Sequence, residues 1–580
     1  MENNIRQLIE EADLVLVGIG SEFEKRRFLA EKDALLALNN LAAILYKKNY
    51  FVVSICTNDI AKKSQLQSDR IVQPCGSATK KQCVNRCEEG LQELSSQEYE
   101  TLNSELMEPS EMELGKCPKC GTPLVLNTVY TETYDENGYL KSSLPELNFN
   151  GETVTILWWT DVEKPEFVVE EVTGDLINDS IYQRNMNVQE TLNVTFAWDS
   201  TKGQYNNGVG AAYAQYVGNG YNAGDNTWDL MAAHSRTIAL TAMYGYCADL
   251  MPLDYLDFSM PWWPTVMTET ATIGDRMYFV TGDVSINSIH MMYCIFYNKD
   301  IMGEYKIQDP AELVKEGKWT MENLQLVTKN LYQDLDNSGN KSSSDFFGFT
   351  SLNWHYDAIY YGAGLKQADA DPDSLFVISP DYFSEKAVNL SDYMGAWAVS
   401  DDVWTNSDNY RTPFYNGTGF LVMARHKDVA DTVVESGFSY GIVPIPKYDE
   451  AQEMHITVVG NPVSFYSIYA NSKDQNRAAA VLECWASEAY RNTTPALFET
   501  TMKLKYSETS TESEMYDIIR AGIIFDIGRL FNSDLGAMSD NWDNSVVNHT
   551  PWGAASAAYK KVLPKQLEKI TSAFLKLENQ

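Results

Sequence analysis

The sequence predicts an α/β protein built from two unlike modules, and three observations carry that prediction. A strand, a helix and a second strand follow one another over residues 147–196, the order of a parallel pair with its crossover. A separate apolar strand running into a glycine turn, residues 13–21, opens the chain in similar fashion. The cysteines and histidines also divide the sequence. Cys56, Cys75, Cys83, Cys87, Cys117 and Cys120 crowd into the first 120 residues, whereas all six histidines lie beyond residue 233.

A chain of 580 residues is too long for one hydrophobic core. It contains no apolar run of about 18 residues, so no transmembrane span is expected. Its first residues carry charges before and within the apolar run, and no small-residue cleavage site follows. No signal peptide is therefore expected, and the chain as written reads as cytoplasmic. A net charge of −35 argues against a nucleic-acid partner, because phosphates would be repelled. No GxSxG, HExxH or P-loop pattern assembles a catalytic set, so no enzyme is expected from the motifs.

Residues 1–140 form the first module. The turn at Gly18 and Gly20 is of a type that lets backbone amides approach a phosphate. A helix and a second buried strand follow, the latter over residues 50–59 and ending Cys56-Thr57-Asn58-Asp59. Cys83 and Cys87, then Cys117-Pro118-Lys119-Cys120-Gly121, have the paired spacing of a four-thiolate zinc site. The alternative is free buried cysteines, but Cys-Pro-x-Cys-Gly is poor strand or helix sequence. The order of these pieces resembles the sirtuin family of NAD-dependent deacylases. The resemblance implies a partial Rossmann-like domain with a zinc-ribbon module, and places Gly18, Gly20, Asn58 and Asp59 at a cofactor site. Two departures matter. Cys75, in the run 73–77, stands where the family carries its histidine base. After the zinc pairs the chain does not return to its sheet, but gives way to a linker at 141–150. The resemblance therefore implies a truncated, inactive remnant, with zinc but without NAD as cofactor.

Residues 151–580 form the second module. Asn150-Gly151 makes a turn, 153–159 a buried strand, 178–190 a helix and 192–196 a second strand. The first strand delivers Trp158, Trp159, Thr160 and Asp161 to the carboxyl edge of the sheet, where open α/β sheets bind ligands. A strand at 228–234 leads into a helix starting near Ser235, so the His234 or Ser235 at its start either caps it or faces a ligand. Further strands are expected at 278–283, 291–299 and 458–469. Helices are expected from Thr320, as cap, and over 474–490. This order, with the Trp262-Trp263 passage and the ending through Trp542 and Trp552, resembles the carbohydrate-type extracellular solute-binding proteins of bacterial ABC importers. The resemblance implies a two-lobed, periplasmic-binding-protein-like α/β domain crossing between lobes near 290–298 and 456–466. It also implies hinge closure on a small ligand, a transporter permease as partner, and a place outside the cell or in its envelope.

Thirteen tryptophans and 34 tyrosines suit a sugar cleft, since a pyranose offers an apolar face to a ring and hydroxyls to fixed polar groups. The candidates are Trp158, Trp159, Asp161, His234, Arg236, Trp263, Trp354, Tyr361, Asn461 and Trp542, with core packing the competing role for each ring. Asp334, Asp336, Ser338, Gly339, Asn340 and Asp345 fall at positions 1, 3, 5, 6, 7 and 12 of a calcium loop, though the last acid is Asp rather than Glu. A solvated polar turn is the alternative. Two rival readings of the whole remain: a deacylase with a receptor-like partner domain, and an artificial junction of two genes near 141–145. Zinc thiolates suit a reducing cytoplasm, whereas a receptor works outside.

Overall fold

A computed structural model gives the fold. It describes residues 144–580, except 372–373, 406–408, 508 and 578–580. Before residue 144 it describes 15–19, 37–42, 45, 50–54, 61, 64–67, 70–72, 80–83, 92–93, 124–126, 134–135 and 137–142. The chain divides into two compact units, Met1–Lys141 and Ser142–Gln580.

In the first unit β1 (Val15–Ile19), β2 (Tyr50–Ser54) and β3 (Ile71–Val72) form a parallel sheet in that order. Leu38, Leu45, Tyr50, Val52, Ala61, Leu66 and Ile71 make its described core. A second, antiparallel sheet has β4 (Lys80–Cys83) between β5 (Gln92–Glu93) and β6 (Leu124–Leu126), with Cys83 opposite Leu124. Gly18 lies in β1 and Cys83 ends β4. Gly20, Asn58, Asp59, Cys87, Cys117 and Cys120 lie outside the described residues, as do Cys56 and Cys75.

The second unit opens with β7 (Glu152–Trp159), α1 (Leu176–Leu192), β8 (Val194–Thr201), α2 (Val209–Ala223), β9 (Leu230–His234) and α3 (Ser235–Met243). The helix α1 begins two residues before the sequence suggests, because the Asp175 side chain accepts the N–H groups of Ile177 and Asn178. It ends where Asn193 turns left-handed at φ 47°. Strand β8 runs past Phe196 to Thr201, since its ladder with β7 continues to Trp159↔Thr201 despite the polar residues there. His234 caps α3 through Nδ1, and Thr320 caps the helix Met321–Thr328, both as expected.

The chain then builds a second sheet from β10 (Tyr293–Asn298), β11 (Phe347–Ser351), β12 (Val403–Thr405) and β13 (Gly419–Arg425). The helix α4 (His426–Val433) and β14 (Tyr440–Val443) follow. It returns through β15 (Ser464–Ile468) and α5 (Gln475–Glu488). The sheet orders are β15-β9-β7-β8 and β12-β11-β13-β10-β14. Each sheet mixes parallel and antiparallel pairs, and each belongs to one lobe. No strand forms at 278–283; Val280 instead makes one bridge, to Tyr466. A second bridge joins Met292 to Val459, so the two crossing segments run beside each other. A third segment, Ile523–Ile524, pairs in parallel with Thr457–Val458 and carries the chain back into the junction between lobes. Among the described residues no helix is long and apolar enough to cross a membrane.

Candidate functional site: a cleft between the lobes

The carboxyl ends of β7, β8, β9, β11 and β13 face one another across a cavity of about 500 Å³. That placement is the general rule for ligand sites in open α/β sheets. From the first lobe come Glu163 beyond β7, Gln204 and Asn206 beyond β8, His234 at the end of β9 and Arg236 on α3. From the second come Trp354, His355 and Asp357 beyond β11, Arg425 ending β13, and Tyr293 on antiparallel β10. Asn461, Pro462, Arg529, Asp540 and Asp543 come from the junction and the C-terminal passage.

The charges are mostly paired. Arg425 grips Asp428 with two hydrogen bonds, 2.8 and 3.0 Å, and donates to Glu163 across the cleft at 3.0 Å. Lys427 also reaches Glu163, at 2.6 Å, and Lys164 pairs with Asp431. The loop after β7 is thus ion-paired to the start of α4 in the other lobe. Arg529, almost fully buried, donates to Asp357 at 2.7 Å, to the Val459 carbonyl at 2.7 Å and to Asn461 at 2.9 Å. Burial alone would lower its pKa; the Asp357 carboxylate more than offsets this and holds the guanidinium charged. Asp543, buried close to Asp357, is driven well above the usual carboxylate range by desolvation and then by that neighbouring negative charge.

Two histidines on the cleft wall are neutral. Burial, then Arg236 and the other arginines, holds His234 well below its ordinary value. Burial pulls His355 down to about 3. Their tautomers are opposite. His234 Nδ1 accepts the Arg236 N–H at 3.2 Å, so its proton sits on Nε2. His355 Nδ1 lies 3.2 Å from the Met423 carbonyl and must donate, so its Nε2 is an acceptor. The cleft therefore offers one imidazole donor and one imidazole acceptor. Trp354, on the single turn Asn353–His355, is 53% exposed, a large ring left open on the cavity wall.

Of the ten ligand candidates, His234, Arg236, Trp354 and Asn461 line this cleft. The other six do not, and each is held elsewhere. Trp159 is 0% exposed and donates its indole N–H to Ser464 at 2.9 Å, so it is core. Trp158 packs on Phe167, ring centres 5.6 Å apart. Asp161 accepts the Gly203 N–H at 2.7 Å and the Gln204 N–H at 3.2 Å, bracing the turn after β8. Trp263 is buried beside Trp262, and both indoles donate to Glu483. Tyr361 and Trp542 are buried against Tyr360, at 5.4 and 5.2 Å. Glu163, Tyr293, His355, Asp357, Arg425, Arg529, Asp540 and Asp543 escaped the sequence reading. The apolar run ending at Arg425 was the available signal, since it marks a strand whose carboxyl end should reach the same edge. Away from the cleft, carboxylate oxygens of Asp334, Asp336 and Asp345 lie within 4.8 Å of one another, with Gly339 at φ 73° in the turn. Asp345 is buried and takes the N–H groups of Leu335 and Ser342, while Ser338 donates its Oγ–H to the Asn340 carbonyl.

No protein-family model and no curated protein matches the chain. Solved structures do. The GacH receptor of Streptomyces glaucescens is similar over 74% of this chain and 99% of its own, with 14% identity and a TM-score of 0.46. For the Thermus thermophilus maltotriose binding protein the shares are 73% and 100%, with 13% identity and a TM-score of 0.42. The cyclic alpha-maltosyl-1,6-maltose binding protein of Arthrobacter globiformis is similar over 72% of this chain and 99% of its own, with 15% identity and a TM-score of 0.51. That last likeness, together with the paired crossings and the cleft at the strand ends, shows that the second unit has a two-lobed α/β fold like that of the Arthrobacter globiformis protein.

Proposed function

We propose that residues 142–580 form the substrate receptor of an ABC importer, taking a carbohydrate between the lobes and presenting it to a membrane permease at the cell envelope. The observation that carries this reading is Trp354, an indole left half open on the wall of an otherwise polar cleft. A ring of that kind stacks on the apolar face of a pyranose, while His234 Nε2–H and His355 Nε2 serve a hydroxyl edge. The Arthrobacter globiformis protein, described as a cyclic alpha-maltosyl-1,6-maltose binding protein, supports the substrate class. Thermal-shift screening of the full chain against mono- and oligosaccharides, amino acids and short peptides tests it. Saccharides should raise the midpoint and the others should not; stabilisation by a peptide alone would overturn the substrate class.

For the first unit the reading is a truncated sirtuin-like remnant whose four cysteines, Cys83, Cys87, Cys117 and Cys120, hold one zinc ion. The register supports it, since Cys83 pairs opposite Leu124, shortly after Cys120. Zinc bound there is structural, fixing the short sheet. Purified protein should carry about one equivalent of zinc, and Cys83→Ser should reduce it; no consumption of NAD with acyl-lysine peptides is expected. The Asp334–Asp345 loop suits calcium by its gathered carboxylates. Calcium should raise the thermal midpoint of the wild type but not of an Asp334→Asn/Asp336→Asn variant.

A further inference from the structure

We infer that the saccharide taken by this cleft is anionic, with a carboxylate of the uronic-acid kind seated on Arg236; this rests on the carbohydrate reading of the same cleft. The argument is a comparison of arginines. Arg184, a buried structural arginine, uses Nε, Nη1 and Nη2 on Asn185, Val284 and Glu166. Arg425 is neutralised by Asp428 and Glu163, and Arg529 by Asp357. Arg236 differs from all three. Its Nε donates to the Arg529 carbonyl at 3.2 Å, and its guanidinium carbon lies 5.9 Å from the Tyr205 ring centre. Among the described residues, no carboxylate pairs with it and nothing accepts from Nη1 or Nη2. Yet the residue lines the cavity.

The surrounding acids leave the Nη1 and Nη2 fork without a hydrogen-bonded partner. Asp540, Asp357 and Asp534 act on it through space only; Asp540 accepts from Asn532 at 3.1 Å and Asp357 from Arg529 at 2.7 Å. Burial first, then the neighbouring Arg529 charge, lowers the Arg236 pKa against the pull of Asp540 and Asp357. A free guanidinium presents a planar fork of two N–H groups, which fits the two oxygens of a carboxylate. The open fork calls for a planar acceptor pair from the ligand. Trp354 on the same wall would hold the sugar ring that bears it. The chain as a whole carries −35 and repels anions, so a free arginine inside the cleft is a local exception rather than part of a basic surface.

Calorimetric titration of the full chain tests this with short oligomers of galacturonate, glucuronate and mannuronate, each beside its methyl ester, with maltotriose and with a sulfated neutral disaccharide. At least one uronate should bind about tenfold or more tighter than its ester, and its affinity should fall as salt rises. Arg236→Gln should weaken the acid by about tenfold more than its ester, and Arg236→Lys should restore part of the difference. The acid-against-ester comparison in the wild type needs no variant, and the thermal midpoint reports whether Arg236→Gln is folded. Equal binding of acid and ester, equal losses for both in Arg236→Gln, or tighter binding of the sulfated sugar would overturn the carboxylate assignment while the carbohydrate reading stands. Binding of no saccharide, charged or neutral, would overturn both.

Discussion

Glu483 should make this protein less stable as the pH rises through neutrality. It is 1% exposed and lies beneath two tryptophans. The indole N–H groups of Trp262 and Trp263 donate to it at 2.9 and 2.8 Å, and the Asp257 N–H at 3.3 Å. Burial nevertheless dominates and pushes its carboxyl up from 4.5 to about 7. Folding therefore favours the protonated form. The stabilisation is complete below the unfolded value of 4.5 and is lost as pH climbs through about 7. At about 1.4 kcal/mol for each pH unit between those values, the loss approaches roughly 3 kcal/mol. Asp526, pushed up to about 6 by burial, acts in the same direction, so the wild type alone does not isolate Glu483. Glu483→Gln does. Glutamine cannot ionise, but it keeps one acceptor for two indoles. At pH 5 the variant should be less stable than wild type by about 1–3 kcal/mol. Urea denaturation followed by tryptophan fluorescence should show that deficit shrinking by about 3 kcal/mol between pH 5 and pH 8. Parallel stability curves for the two proteins would refute the reasoning.

Three further outcomes are expected. Trp159→Ala should cost about 3–5 kcal/mol of stability, read by the same denaturation, because the ring is core rather than cleft. Arg529→Met leaves Asp357 buried and uncompensated beside Asp543, and should cost about 3–5 kcal/mol, with Asp357→Asn on the same background recovering part of it. On the acid side, burial pulls His355 and His426 down to about 3 and His455 to about 4. Their contribution is full above about 6.5 and is lost as pH falls towards those values, so circular dichroism should show unfolding on acidification below about pH 5. A native spectrum kept at pH 3.5 would contradict it.

The framework was legible where local chemistry decides it. Residues 153–159 read as a buried strand, 178–190 as a helix, and His234 as a junction that could cap or face a ligand; it caps α3 and lines the cavity. Trp354 was legible only as one of the aromatic candidates, with no strand foreseen before it, and Asn461 as part of the returning segment. The tryptophan doublets misled, because an indole suits a core as well as a cleft once its N–H finds an acceptor. The acceptors here are distant in sequence: Ser464 for Trp159, 305 residues away, and Glu483 for Trp263, 220 residues away. The charged floor of the cleft was hidden for the same reason. Arg529 reaches it only because Ile523–Ile524 pairs with Thr457–Val458, a contact that no local pattern announces. The acids at Asp357 and Asp543 acquire their roles only beside that arginine.

The central claim, a carbohydrate held between the lobes, is tested most directly by calorimetric titration of wild type and Trp354→Ala with the saccharide that gives the largest thermal shift. The ring is 53% exposed, so its removal should leave the thermal midpoint of the unliganded protein nearly unchanged. Its loss as a stacking surface should weaken binding by about ten- to a hundredfold, each tenfold being about 1.4 kcal/mol. Affinity unchanged in a folded Trp354→Ala protein would contradict the account.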